Sequence, residues 1–555
     1  MTKNIRFSNL DRKKTVAKLT EEAFDLVVIG GGITGGGIAL DAASRGLKVA
    51  LVEKNDFASG TSSKSTKLIH GGLRYLKQFD FWLVKEVGSE RAIVHKLAPH
   101  LVLPEKMLLP LIENGSYGKW LTSIGLKVYD ILAQVTGDDK RKMLEKKEAL
   151  KLEPLLPKKI LKGAGYYAEY RTDDARLTME TIKTSLHHGA MALNYAEVKD
   201  FIYEEGIVAG VKVKDTVMDT EFSIKSKYVI SAAGPWVDDL RGINNSKKGK
   251  RLHLTKGVHL VFPYEKLPIK QSVYFDIPDG RMMFAIPRGK ITYIGTTDTN
   301  FNENKDDVKT DVADAIYLIS AVNNMFPKIN LEMEDIISSW AGLRPLIHEE
   351  GKSASELSRK DEIFTSDSGL ISIAGGKLTG YRKMAERVVN RVGKKMEEDY
   401  EIVVKPSDTE HIPLCGNEFK KYKYVKKYIA EIHERLTPEG FSQYDAWYLV
   451  TNYGKQTETI LQYYATQKDD NHELGMAKAE LKFGIENEMV QTPMDFFIRR
   501  TGRLYFDIDS IRKLMEPILA EFKIIFKLDD EVINSYRETL EGALEEHSNF
   551  SLDRI

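Results

Sequence analysis

The stretch AFDLVVIGGGITGGGIALDAASRGLKVALVEK, residues 23–54, decides the fold. DLVVIG, residues 25–30, is a short continuous apolar run of the kind that forms a buried strand. ITGGGIALDAASRG has helical character, and KVALVEK, residues 48–54, is a second apolar strand. Gly30, Gly32 and Gly35 have the G-x-G-x-x-G spacing of a dinucleotide-binding turn, with Gly31 inside it. The first glycine allows the tight turn, the second lets backbone approach a pyrophosphate, and the third lets helix and strand pack closely. A helix starting there offers free N–H groups and a favourable dipole to that pyrophosphate. Glu53 ends the second strand, where a carboxylate can accept hydrogen bonds from ribose hydroxyls. Glycine spacing alone is weak evidence. Between two strands, with a terminal acid, it specifies an α/β dinucleotide-binding domain.

The rest of the chain sets bounds. A length of 555 residues is too great for one core and implies two or three domains. Lysine plus arginine equals aspartate plus glutamate at 81 each, so bulk charge does not point to nucleic acid. The only cysteine is Cys415, which excludes an internal disulfide and fits a reducing compartment. No run of about 18 apolar residues suggests a membrane span. The start, MTKNIRFSNLDRKK, lacks the apolar region of a secretory signal.

Two later segments return the chain to the same sheet. SKYVISAAGPWVDDL, residues 226–240, is a strand ending in the small-residue turn Ala232-Ala233-Gly234. GLISIAGGKLTGYRKMAERVVNRV, residues 369–392, is a strand, a Gly-Gly turn and an amphipathic helix. The second helix start, near Lys377 to Thr379, would face the carboxyl edge of the sheet and stabilise the negative charge of a reduced flavin. An ordinary strand-turn-helix packed for stability remains the competing reading.

Chemistry concentrates in LIHGGLRYL, residues 68–76, just after TSSKSTK. Adjacent glycines, Gly71 and Gly72, weaken regular structure and point to a close backbone approach. His70 can titrate near neutrality, or simply bond backbone in a tight turn. Arg74, followed by Tyr75, and Arg344, in the apolar WAGLRPL, supply forked cations for an anion. A lone arginine in that apolar setting needs an anionic partner. Arg359 sits among acids in ELSRKDEIF and is equally readable as a solvated ion pair. Lys377 suits contact with phosphate or flavin. His253 and His259 lie in strand-like sequence and read as core or surface. No metal-ligand spacing, EF-hand loop or Ser-His-Asp arrangement is evident.

Taken together, the fingerprint with Glu53, TSSKSTKLIHGGLRYL, YRTDDARL, AAGPW, GTTD, AGLRPL and GGKLTGYRKMAE resemble the FAD-dependent glycerol-3-phosphate dehydrogenase family. That family lies within the glutathione-reductase-like flavoproteins, beside the amino-acid and sarcosine oxidases. The resemblance covers about residues 24–398 and continues loosely through TPMDFFIRRTGRLYF, residues 492–506. It implies non-covalent FAD, with cofactor contacts at Gly30, Gly31, Gly32, Gly35, Glu53, Ser62, Ser63, Lys67, Leu68, Val198, Ala233, Gly234, Gly376, Lys377, Leu378 and Thr379. It implies oxidation of sn-glycerol 3-phosphate to dihydroxyacetone phosphate by hydride transfer to the flavin. His70 and Arg344 would be the catalytic groups, with Arg74, Tyr75, Arg344, Arg359 and Lys377 binding substrate. Such dehydrogenases are peripheral enzymes that pass electrons to quinone, which implies a cytoplasmic protein on the inner face of the plasma membrane. A homodimer stays open. An α-glycerophosphate oxidase using oxygen is the alternative, although only 32 residues separate Arg344 from Lys377, where the oxidases it resembles carry an insertion. A non-catalytic flavin-bound interaction or sensor protein is the alternative of another class.

The organisation expected is an α/β, glutathione-reductase-like FAD-binding Rossmann domain in three pieces, residues 22–90, 171–241 and 342–398. An antiparallel-sheet substrate domain (91–170 and 242–341) fills the gaps, with strand-like runs such as VHLVFPY and ITYIGTTD. A helical domain, 399–555, follows. Two segments could touch a membrane. The first nineteen residues hold six lysines or arginines and one acid, interleaved with Ile5, Phe7, Leu10, Val16 and Leu19. GKWLTSIGLKVYDILAQV, residues 118–135, spaces Trp120, Ile124, Val128 and Ile131 helically, which also suits a core helix.

Overall fold

The structure, a computed structural model, describes residues 6–70, 81–113, 115, 140–348, 361–467 and 469–550. Its first sheet has a parallel centre. Ala23–Ile29 pairs on one side with Val49–Val52, which pairs with Met191–Leu193; on the other side it pairs with Thr220–Ser231, which pairs with Ile371–Ala374. The central strands are buried along most of their length, which is why they read as near-continuous apolar runs rather than alternating ones. The antiparallel strand Glu362–Thr365 closes one edge, and the antiparallel strands Ala196–Glu204 and Ile207–Asp215 extend Thr220–Ser231 as a meander. The fingerprint helix, Ile33–Ser44, lies against helices Asp174–His187 and Tyr381–Tyr400. Its glycine run makes that contact possible. A Cβ on Gly35 would stand 1.8 Å from the Gly30 carbonyl oxygen, one on Gly36 3.0 Å from Ile182, and one on Gly37 3.0 Å from the Tyr381 ring.

The second sheet is antiparallel except where Ser272–Asp276 runs parallel to Leu103–Ile112. Its spine is the pair Arg251–Pro263 and Ser338–His348, in register over eleven residues. Residues 342–348 therefore run in this sheet, not in the flavin-domain piece that the sequence suggested. The unbroken ladder with Arg251–Pro263 overrides the motif-based boundary. Leu68–Ile69 also joins this sheet, pairing with Leu161–Arg171, so the TSSKSTK segment crosses from one sheet to the other. Helix Val312–Met325 covers the far face.

From Tyr422 onward the chain is helical, as its amphipathic pattern leads one to expect. The junction between these helices and the flavin domain is a buried seam of ion pairs. Arg176 donates to both carboxylate oxygens of Glu488 at 2.6 and 2.8 Å, and Lys183 reaches the same carboxylate at 2.8 Å. Arg500 binds Asp56 through two parallel bonds of 2.8 Å, and Arg499 adds a third at 2.5 Å. Asp495 accepts from Arg499 and from the Tyr195 hydroxyl, each at 2.6 Å. Burial pushes the Asp56 carboxyl up, but the two arginines outweigh it and hold the group at about 2.

Candidate active site

Gly30 turns the chain off the first strand at φ +114°, and a Cβ there would meet the Ala232 carbonyl oxygen at 2.6 Å. Only glycine fits between the two strand ends. The Gly31 N–H donates to Glu53 Oε2 at 2.7 Å, and the Asn55 N–H donates to Oε1 at 2.9 Å. The terminal acid is thus locked in place by backbone, with lone pairs left over for hydroxyls. Burial raises its pKa, while those two N–H groups oppose the shift. Ser62 Oγ accepts from the Ile33 N–H at 2.9 Å, capping the fingerprint helix from the neighbouring loop. A Cβ on Gly32 would sit 3.1 Å from that hydroxyl. The helix N-terminus, the serine hydroxyl and the absent side chain form a cradle shaped for phosphate.

A cavity of about 600 Å³ runs from Gly30, Gly32 and Glu53, past Val198, Ala233 and Gly234, to a cluster of polar side chains at its other end. Gly375 and Gly376, at φ +78° and +82°, bring the chain off strand Ile371–Ala374 into the short turn Leu378–Gly380. Thr379 Oγ1 accepts from the His70 N–H at 3.2 Å and donates to the His70 carbonyl at 3.1 Å. This pair of hydrogen bonds fixes the His70 backbone to the second helix start. The His70 ring lines the cavity, edge-on to Phe284 with centroids 6.1 Å apart.

Arg344 also lines the cavity. The anion that its apolar setting requires is partly internal: Nη1 donates to the Thr297 carbonyl at 2.7 Å and to Asp298 Oδ1 at 3.2 Å, and Nη2 donates to the Thr296 hydroxyl. The GTTD motif therefore holds the arginine, whose side chain is still 29% exposed. Leu68, Gly376, Lys377, Leu378, Thr379 and Ser62 line the cavity too. Lys67, Ser63, Gly31 and Gly35 do not. The buried Lys67 ammonium donates to Asp174 Oδ1 at 2.5 Å and to the Ser63 carbonyl at 2.9 Å, so it pins the loop from behind. Gly31 and Gly35 serve the turn and the helix packing. Gly71, Gly72, Arg74, Tyr75 and Arg359, and the 118–135 segment, lie outside the described residues.

His259 is buried in strand Arg251–Pro263, as its strand-like sequence suggests, and it also belongs to the cavity wall. It stacks on Trp340 at 4.8 Å and lies with Nε2 2.9 Å from Thr66 Oγ1. Burial, then the charges of Arg344 and Lys67, hold its pKa well below the ordinary histidine value. The signal in sequence is Gly295, directly across the ladder, where a Cβ would strike the imidazole at 2.3 Å. Arg281 and Lys64 line the cavity as well. Burial lowers the Lys64 pKa. Arg281 carries no spacing signal that would single it out.

Residues 25–382 match the family described as FAD dependent oxidoreductase, and residues 407–532 match the C-terminal domain of alpha-glycerophosphate oxidase. The chain is 49% identical to the aerobic glycerol-3-phosphate dehydrogenase of Bacillus subtilis, with 98% of each chain covered. It is 46% identical to that of Staphylococcus aureus, again over 98% of each. Among solved structures, the glycerol-3-phosphate dehydrogenase from Bacillus halodurans complexed with FAD superposes with a TM-score of 0.84 at 43% identity, covering 98% of both chains. An L-alpha-glycerophosphate oxidase from Mycoplasma pneumoniae, 20% identical with a TM-score of 0.54 over 70% of this chain, shares the fold. The chain belongs to the FAD-dependent oxidoreductases and, within them, to the family of aerobic glycerol-3-phosphate dehydrogenases. Its cofactor is FAD. The cradle at Gly32 and Ser62 and the elongated cavity beyond Glu53 are the shape that cofactor needs.

Proposed function

We propose that the protein oxidises sn-glycerol 3-phosphate to dihydroxyacetone phosphate and passes the electrons to a membrane quinone. The observation that carries this reading is a single cavity that joins a dinucleotide cradle to a cluster holding His70, Arg344 and Lys377. The names of the relatives support the same substrate. The cradle of Gly32, Ser62 and Glu53 would hold FAD, which would supply the acceptor for the C2 hydride.

The chain's own residues do the rest. Arg344, braced by Thr296, Thr297 and Asp298, presents a pre-set guanidinium to the phosphate dianion, with Lys377 adding charge. His70 takes the proton of the C2 hydroxyl; its backbone, held by Thr379, fixes where the ring can reach. His259 is kept neutral by burial and by the neighbouring arginine, so it supplies a hydrogen bond and leaves the charge change to His70. Arg74, Tyr75 and Arg359 complete the substrate set in this reading.

Quinone is favoured as acceptor because the interval between Arg344 and Lys377 is short of the insertion seen in the oxidases it resembles. No helix among the described residues is long and apolar enough to cross a membrane. Contact with the inner face of the plasma membrane would then be peripheral, through basic and apolar elements such as the N-terminal segment. Anaerobic mixing with glycerol 3-phosphate should bleach the flavin, and a soluble quinone analogue should restore it quickly while air acts slowly. No bleaching would overturn the substrate. Fast reaction with oxygen, with stoichiometric peroxide, would replace the dehydrogenase with an oxidase.

A further inference from the structure

We propose that the loop at residues 301–311 is a reversible clasp over the adenosine end of the FAD cavity, closed by two ion pairs of opposite polarity, Lys305–Asp239 and Lys54–Asp306. The proposal rests on FAD lying with its adenosine half toward Glu53, as the glycine turn requires.

The loop is rooted in the second sheet. Thr299–Asn300 pairs with Thr255 and Lys256, and the buried Phe301 donates its N–H to the Leu254 carbonyl at 2.9 Å. At its other end Asp311 accepts from Lys256 at 2.7 Å. Between these anchors Asn304 shapes a turn, its Oδ1 accepting from the Asp306 N–H at 3.0 Å and its carbonyl from the Asp307 N–H at 3.1 Å. The turn presents a cation and an anion side by side.

Both find partners on the flavin domain. Lys305 Nζ donates to the two oxygens of Asp239 at 2.6 and 2.5 Å, and Lys54 Nζ donates to Asp306 Oδ1 at 2.6 Å. Lys54 also lies 4.2 Å over the Trp236 ring. Lys54 directly follows Glu53, and Asp239 sits on helix Val237–Ile243, just after the Ala233-Gly234 turn. Lys54, Asp239 and Asp306 all line the cavity. The loop thus spans the two elements that flank the adenosine end, and crossing the charges gives one docked register.

The exposure of these pairs is what lets such a clasp open. The side chains of Lys54 and Asp306 are 28% and 55% exposed, those of Lys305 and Asp239 24% and 50%. Such pairs are individually weak and screened by salt. A permanent tie would resemble the buried Arg500–Asp56 pair, whose side chains are 1% and 0% exposed.

The test follows FAD leaving the holoenzyme by the rise in flavin fluorescence after dilution, at low and high salt. The wild-type protein should release FAD faster as salt rises. The double variant Lys305→Gln with Asp306→Asn should release it about fivefold faster at low salt and lose most of the salt dependence. Exchanging one pair, Lys305→Asp with Asp239→Lys, should restore slow, salt-sensitive release. An unchanged unfolding midpoint in the double variant separates clasp opening from general damage. Release at the wild-type rate with wild-type salt dependence in the double variant, or no recovery in the exchanged variant, would overturn the proposal.

Discussion

Around the FAD cavity several charged side chains stay partly exposed, and Arg344 is held mainly by backbone and hydroxyl groups. In the seam between helix Asp174–His187 and the C-terminal helices the charged side chains are buried and bonded to one another. Arg344 illustrates the first: its fork is braced by a carbonyl, a hydroxyl and a carboxylate, and its side chain is still 29% exposed. Arg500 illustrates the second, with its side chain buried and each of its donor nitrogens committed to Asp56 or the Glu488 carbonyl. In the proposed reaction the arginine fork binds a ligand in one place; in the other it fastens the C-terminal helices to the segment after the second strand. The difference lies in what surrounds the fork.

The largest test of that contrast is Arg500→Ala. It leaves the buried Asp56 carboxylate with Arg499 and the Asn194 amide, one cation in place of two, which should cost about 3–5 kcal/mol of stability, read from the urea unfolding midpoint and slope. A loss under about 1 kcal/mol would mean that the seam does not fasten the domains. Next, Arg344→Ala should keep FAD and weaken glycerol 3-phosphate binding by about 2–4 kcal/mol. His70→Ala should instead lower the rate of flavin reduction about a hundredfold with little change in substrate affinity. An unaltered reduction rate would move the base to another group, such as water held by Arg344.

The smallest effect is a difference in sign with pH. Asp56 is depressed to about 2, so its contribution to stability is complete above the ordinary aspartate value and disappears as pH falls through about 2. Glu53 is shifted the other way by burial; its contribution is complete below the ordinary glutamate value and fades as pH rises through its raised one. Unfolding free energies of Glu53→Gln and wild type, compared across mildly acidic to neutral pH, should therefore diverge in favour of the variant as pH rises. Parallel curves would show that the Glu53 carboxyl is not strained by its burial.

Much of this was legible in the chain because the decisive contacts are local. Gly30, Gly32 and Glu53 fall within one strand-turn-helix-strand unit, so the glycine spacing together with its flanking strands carries their geometry. The second helix start at Leu378–Thr379 was equally readable from a strand followed by Gly-Gly. The seam was not. Asp56, Arg176, Glu488 and Arg500 are scattered along the sequence, and each by itself looks like a solvated surface charge; only tertiary packing turns them into a buried network. His259 was hidden for a related reason, since an imidazole in an apolar strand becomes part of the cavity wall only when Gly295 on the neighbouring strand makes room for it. The boundary at residue 342 was hard to read because Ser338–His348 is paired in the second sheet yet supplies Arg344 to the cavity.

The glycine run of the fingerprint helix has a practical meaning for anyone wishing to toughen this protein against heat. Replacing helical glycine by alanine is a common route to stabilisation, because it narrows the unfolded ensemble. At Gly35, Gly36 and Gly37 that route is closed by a neighbouring strand and two neighbouring helices, each already at contact distance. Gly542, on the helix Asp530–Ser548, meets nothing within 4 Å of an added Cβ. Thermal engineering of this chain should therefore begin at Gly542 on helix Asp530–Ser548 and leave the fingerprint helix untouched.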